Sequence, residues 1–121
     1  MLEGQTKDTY PEICRGELHI CLESRNAWIG EQHLGLTKYE FDVLCLLVRH
    51  PGRVFSKEQI YAHAWENEIG NVDNAVRCVI ASLRRKLRKY TDQEYIQTVW
   101  GIGYKFKIPE AWVRPERKIK G

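Results

Sequence analysis

The stretch Asn74-Ala75-Val76-Arg77-Cys78-Val79-Ile80-Ala81-Ser82-Leu83-Arg84-Arg85-Lys86-Leu87-Arg88-Lys89-Tyr90-Thr91 carries six basic residues and no acid. Val76, Ile80, Leu83 and Leu87 recur at the three- and four-residue spacing of one helix face, with Val72 and Val79 beside them. The spacing predicts a helix that begins near Asn71 or Asp73 and runs to about Lys89. Arg77, Cys78, Ala81, Ser82, Arg84, Arg85 and Arg88 fall on the opposite side or on its flanks. Small residues let such a surface lie close to a partner, and the arginines grip it. A merely solvated helix face usually mixes both signs of charge. This one does not, and a one-signed face favours an anionic polymer.

On the C-terminal side, Tyr95-Ile96-Gln97-Thr98-Val99-Trp100 and Tyr104-Lys105-Phe106-Lys107-Ile108 alternate on either side of Gly101-Ile102-Gly103. Alternation about a glycine-containing turn predicts a β-hairpin. Pro109 ends it, and residues 110–121 form a basic tail. On the N-terminal side lie the polar loop Glu66 to Gly70 and two further helices. Each opens on a capping box, Thr37 with Glu40 and Ser56 with Gln59. Phe41, Leu44, Leu47 and Val48 give the first its core stripe, and Pro51-Gly52 stops it after His50. Ile60, Ala64 and Trp65 give the second its apolar side, after a short extended Val54-Phe55.

Before the helices, Leu18, Ile20 and Leu22 alternate with His19 and Cys21, a half-buried strand over Glu17 to Leu22. Ser24-Arg25-Asn26 is a turn; Ala27 to Ile29 and Gln32 to Leu36 make two more strands, and a fourth lies near Tyr10 to Cys14. The expected fold is α+β: an N-terminal antiparallel sheet, three helices and a C-terminal hairpin. A helical pair followed by a basic helix and a hairpin is the plan of a winged helix-turn-helix. The division expected is a linker remnant at 1–11, one domain at 12–109 and the tail at 110–121.

The 121 residues suit one domain. Residues 1–73 hold 7 Lys/Arg against 12 Asp/Glu, and residues 74–121 hold 12 against 4, so the net charge of +3 conceals a strongly polarised chain. No apolar run approaches the roughly 20 residues of a membrane span. The acid-bearing start, Met1 to Asp8, lacks an apolar segment of the kind a signal peptide carries, so the expectation is a cytoplasmic protein. Cys14, Cys21, Cys45 and Cys78 form no C-x-x-C pair, and neither they nor His19, His33, His50 and His63 are spaced as zinc ligands. We expect reduced thiols, no metal and no cofactor, with Cys45 a small buried hydrophobe. There is no nucleophile elbow and no recognisable carboxylate pair, so an enzyme is not expected.

Four segments, in order and spacing, resemble the OmpR/PhoB-type effector domain, the C-terminal half of many two-component response regulators. They are Leu36-Thr37-Lys38-Tyr39-Glu40-Phe41, Pro51-Gly52-Arg53-Val54-Phe55-Ser56, Leu83-Arg84-Arg85-Lys86-Leu87 and Gly101-Ile102-Gly103-Tyr104. The likeness spans Ile13 to Ile108. It implies sequence-specific binding of double-stranded DNA for transcription regulation. The third helix, about 72–89, would lie in the major groove, and the hairpin, about 95–108, would be a wing near the minor groove. It also implies contact with RNA polymerase through loop 66–71, head-to-tail pairing on direct repeats, and a phosphorylatable receiver domain outside this sequence. The chain is then expected to be a fragment beginning in the linker, constitutively competent but weak, with a stand-alone regulator as the other reading.

Carried over one by one, the family's base-reading positions fall on Arg77 and Ser82. Its phosphate-holding positions fall on Asn74, Val79, Ala81 and Arg84, and its wing positions on Thr98 and Trp100. Val79 and Ala81 have no side-chain donor, so the carry-over fails there. An arginine often stands where this chain has Trp100. Arg85 and Arg88 are expected on phosphates, and Cys78 and Lys105 join the candidates. Lys38 and Lys57 sit in first helical turns, whose free N–H groups suit phosphate. For Trp100 the reading preferred is packing on the domain, with a sugar-phosphate contact as the other. Ser82 is read equally as a contact or as a small filler. A protein-interaction module and a nonspecific nucleic-acid binder are the alternative functions.

Overall fold

Local hydrogen bonds cut the chain close to where the sequence pattern predicts. The structure, a computed structural model, describes residues 12–66 and 68–107. The expected linker remnant, Ile108, Pro109 and the basic tail lie outside the described residues, as does Asn67. Four short strands come first: β1 (Glu12–Arg15), β2 (Leu18–Cys21), β3 (Asn26–Ile29) and β4 (Gln32–His33). They pair antiparallel in the order β1-β2-β3-β4. The register sets Leu18 against Ile29 and Ile20 against Ala27, so these four share one face, and all are buried. Leu22, expected within the strand, falls just beyond it and is half-buried. The last strand is shorter than the expected Gln32 to Leu36. Leu34 still donates to the Ala27 carbonyl at 2.9 Å, but Gly35, at a φ of 64°, turns the chain off the ladder.

Three helices follow: α1 (Lys38–Arg49), α2 (Lys57–Trp65) and α3 (Val72–Arg88). Both predicted capping boxes are present. The Thr37 hydroxyl accepts from the Glu40 N–H at 3.3 Å, and Glu40 Oε1 accepts from the Thr37 N–H at 3.0 Å. Ser56 and Gln59 exchange the same bonds at 3.1 and 2.9 Å. Asn71 caps α3 by accepting from the Asn74 N–H at 2.9 Å. The predicted stripes are buried in all three helices. The α3 seam of Val76, Ile80, Leu83 and Leu87 is at most 3% exposed, and burying each such side chain contributes about 1.5–3 kcal/mol. Cys45 is buried too, and burial pushes its thiol up to about 11. Tyr39, Trp65 and Tyr61 stack in one column, with ring centroids 4.7 and 4.9 Å apart.

The hairpin is β5 (Ile96–Val99) with β6 (Gly103–Phe106). It is bound to the segment before α2. Phe55 and Tyr104 exchange backbone hydrogen bonds at 2.8 and 2.9 Å, and the Gly52 N–H reaches the Phe106 carbonyl at 2.9 Å. The extended Val54-Phe55 of the sequence thus serves as a short third rung. A Cβ on Gly103 would lie 2.0 Å from the Phe55 carbonyl oxygen, which only glycine permits. At the far end, the Tyr95 hydroxyl accepts from the Glu17 N–H at 3.3 Å and joins the hairpin to the sheet.

Glu40 is a buried charge, 5% exposed. Lys86 Nζ lies 2.6 Å from its Oε1, the Ser82 hydroxyl donates to its Oε2, and Lys86 also reaches the Gly35 carbonyl at 3.0 Å. Burial pushes the carboxyl up, but hydrogen bonds from Lys86, Ser82 and the Thr37 N–H outweigh it and leave the group below its ordinary value. A carboxyl depressed in the folded state stabilises the fold above its ordinary value near 4.5, and that stabilisation is lost as pH falls through the lower folded value. Glu40→Gln should therefore cost about 1–3 kcal/mol at pH 7 in a denaturant titration, a penalty that shrinks on acidification. Gly103→Ala should cost a similar ~1–3 kcal/mol by forcing β6 away from Phe55, read as a lowered Tm.

Candidate nucleic-acid interface

Three- and four-residue steps along α3 bring Asn74, Arg77, Cys78, Ala81, Arg85 and Arg88 onto one exposed row, opposite the buried seam. The spacing placed Arg77, Cys78, Ala81, Arg85 and Arg88 away from the seam, and Asn74 joins them at the start of the helix. The Cys78 thiol lies 3.9 Å from Asn74 Oδ1. Ser82 and Arg84 stand on the flanks and are half-buried. The Ser82 hydroxyl is committed to Glu40, which makes it a positioning group for α3 and more than a small filler. Val79 is half-buried on the core side.

Arg84 turns toward the hairpin. Its Nη2 donates to the Ile96 carbonyl at 3.1 Å and to Thr98 Oγ1 at 2.8 Å, and its guanidinium sits 5.9 Å from the centre of the Tyr104 ring. Two N–H contacts are used of the five that a guanidinium carries, so the group ties helix to hairpin and keeps donors to spare.

Between α3, the start of α2 and the hairpin turn opens a notch of about 720 Å³. Lys57, Arg77, Arg84, Thr98 and Trp100 all line it. Asp73 stands there too, 3.2 Å from Lys57 Nζ and paired with Arg77 one turn on. Hydrogen bonds from Lys57 and Arg77 hold its carboxyl below the ordinary range. Arg77 thus rests on an acid in the free domain. Sequence reading missed Asp73, although its i,i+4 spacing to Arg77 was a usable signal.

Trp100 departs from expectation. The preferred reading packed it on the domain, yet it is 88% exposed, and Ile102 beside it is 62% exposed. The cause is the turn: Gly101, at a φ of 80°, and the bond from the Ile102 N–H to the Val99 carbonyl carry both residues past the last core contact of the hairpin. Lys105 pairs with Gln97, on the opposite hairpin face from Thr98 and Tyr104, and does not line the notch. Lys38 is also elsewhere: it pairs with Asp42 at 3.2 Å, lies over the Tyr39 ring and borders the loop that follows α2. Among the described residues, no three His, Cys, Asp or Glu side chains are grouped to hold a metal ion. No helix among them is long and apolar enough to cross a membrane.

A sheet-backed trio of helices with a cationic third helix beside a pinned hairpin defines a winged-helix DNA-binding domain. The sequence matches the family described as transcriptional regulatory protein, C terminal, over residues 30–106, and the chain belongs to that family, the OmpR/PhoB-type effector domains. Over 100 residues it is 33% identical to the alkaline phosphatase synthesis transcriptional regulatory protein PhoP of Bacillus subtilis, covering 82% of this chain and 42% of that protein. The regulatory protein VanR of Enterococcus faecium is 33% identical over 97 residues, 78% of this chain and 42% of that one. The DNA-binding domain of CpxR from E. coli matches with a TM-score of 0.71 at 31% identity, covering 80% of this chain and 96% of that domain. The RstA DNA-binding domain of Klebsiella pneumoniae, solved with the RstA box, matches with a TM-score of 0.72 at 27% identity, covering 83% of this chain and all of that one. The chain spans less than half the length of the curated relatives it matches. It is a DNA-binding domain of transcription regulation.

The Asp73 contacts yield a test. Asp73→Asn removes an acid from the notch and releases Lys57 and Arg77. It should tighten binding to duplex DNA roughly three- to tenfold at low salt, with the gain fading as salt is added, read by fluorescence anisotropy.

Proposed function

We propose that the domain recognises an operator by laying α3 in a major groove, with the β5–β6 hairpin over the adjacent minor groove. The observation that carries this is the unbroken exposed row of Asn74, Arg77, Cys78, Ala81, Arg85 and Arg88, continuous through Arg77 with the notch. A major groove about 12 Å wide admits one helix, and the small Cys78 and Ala81 let this one sit deep. Arg77 leaves Asp73 to address a guanine edge. Arg85, Arg88, Lys57 and the unused donors of Arg84 hold phosphates, with Asn74 at the helix start beside them. Ser82 acts through Glu40 by fixing the turn of α3 about its axis. Thr98 and Lys105 serve the wing, and Lys38 borders the loop at 66–71, which on this reading meets RNA polymerase. Head-to-tail copies would occupy direct repeats. A receiver domain outside residues 12–109 would supply control, a reading supported by the greater length of the relatives.

The test is a titration of a fluorescein-labelled random 25-mer duplex across a salt series. Log affinity should fall steeply with log salt, and Arg85→Ala should make the slope shallower by about one contact. Absence of binding at low salt would overturn the DNA reading in favour of a protein-interaction module. A slope unchanged in Arg85→Ala would remove that residue from the phosphate set. Selection from a random library then separates a preferred operator from nonspecific binding.

A further inference from the structure

The hairpin turn carries two large apolar side chains into solvent, Trp100 at 88% and Ile102 at 62% exposure, with only Gly101 between them. Single exposed hydrophobes are ordinary, but these two form one tip, and that tip borders the notch lined by Lys57, Arg77 and Arg84. The bonds that pin the hairpin to Phe55 hold its base, so the tip is presented and not folded back. The notch behind the tip holds three cations, Lys57, Arg77 and Arg84, against two acids, Glu58 and Asp73. An apolar point backed by a net cationic surface matches one surface of duplex DNA. The minor groove is walled by deoxyribose carbons and rimmed by phosphates, and side chains such as Ile enter it as apolar wedges.

Resting on the docking proposed above, we infer that Trp100 and Ile102 form an uncharged wing tip that packs against the sugar walls of the minor groove. The cationic duty at that groove then falls to residues of α2 and α3. An indole neutralises no phosphate and releases no counterion, so its share of the affinity is insensitive to salt. A wing reading the same groove with an arginine would behave oppositely.

The experiment compares the unmodified domain with Trp100→Ala, Trp100→Phe and Trp100→Arg on one labelled duplex across the salt series, alongside sedimentation of each protein without DNA. Because Trp100 is almost wholly exposed, its replacement leaves the core untouched. Trp100→Ala should weaken binding on the order of five- to tenfold at every salt concentration, with the slope unchanged. Trp100→Phe should recover most of that loss, and Trp100→Arg should steepen the slope by about one contact. Salt-dependent binding that is indifferent to Trp100→Ala overturns the wing-tip assignment and leaves the docking of α3 standing. So does a shallower slope in Trp100→Ala. Self-association of the unmodified protein that Trp100→Ala abolishes would mark the tip as a contact between copies and overturn it as well. Absence of binding by the unmodified domain overturns both readings together.

Discussion

Three donors from two parts of the chain converge on the Glu40 carboxylate: the Thr37 N–H that opens α1, and the Ser82 hydroxyl and Lys86 ammonium of α3. Removing a carboxylate from water is unfavourable unless its oxygens are met by donors. Here two of the three donors belong to α3, the helix proposed to meet DNA. A turn of α3 by one residue, about 100°, would carry Ser82 and Lys86 away and strand the charge. The apolar seam alone tolerates small rotations, because hydrophobic contact is not directional. The carboxylate adds direction to the seam, and so it narrows the angle at which Arg77, Arg85 and Arg88 are held outward.

The hairpin is fixed by different means. Phe55 and Tyr104 pair through the backbone, Gly103 allows that approach, and Arg84 reaches across from α3 to Ile96 and Thr98. Arg84 therefore belongs to both elements. Its substitution would loosen the wing as well as remove a charge; Arg85, which donates to the Ser82 hydroxyl at 3.3 Å and does not reach the hairpin, is the cleaner probe of phosphate contact. The free domain also keeps Arg77 and Lys57 occupied with Asp73, so part of its cationic potential is quenched until a stronger anion arrives.

Much of this was legible in the sequence, for reasons that can be named. Thr37 with Glu40 and Ser56 with Gln59 are local signals, complete within four residues, and both helices begin where they predict. Val76, Ile80, Leu83 and Leu87 announce their face through spacing alone. Tertiary contacts were not legible. Nothing near Ser82 in the chain reveals that its partner stands at Glu40, and Arg84 reads like Arg85 until the hairpin folds beside it. Trp100 was misjudged because an aromatic residue in a strand pattern is ordinarily packed, whereas here the strand ends at Val99 and Trp100 falls in the turn with the left-handed Gly101. The strand expected over Gln32 to Leu36 shortened for the same reason at Gly35.

The double attachment of the hairpin bears on the other molecule in the complex. Its base is bonded to Phe55 and its side is strapped to α3 by Arg84, so the wing is held at a set distance from that helix. In the proposed docking, the span between the two grooves is set by the protein, like the gap of a calliper, and the duplex is the compliant partner. Any mismatch is absorbed as elastic strain in the DNA, and stiffness varies from one base step to the next. Base pairs that lie between the helix and the wing, touched by neither, would on that docking be selected for how readily they bend.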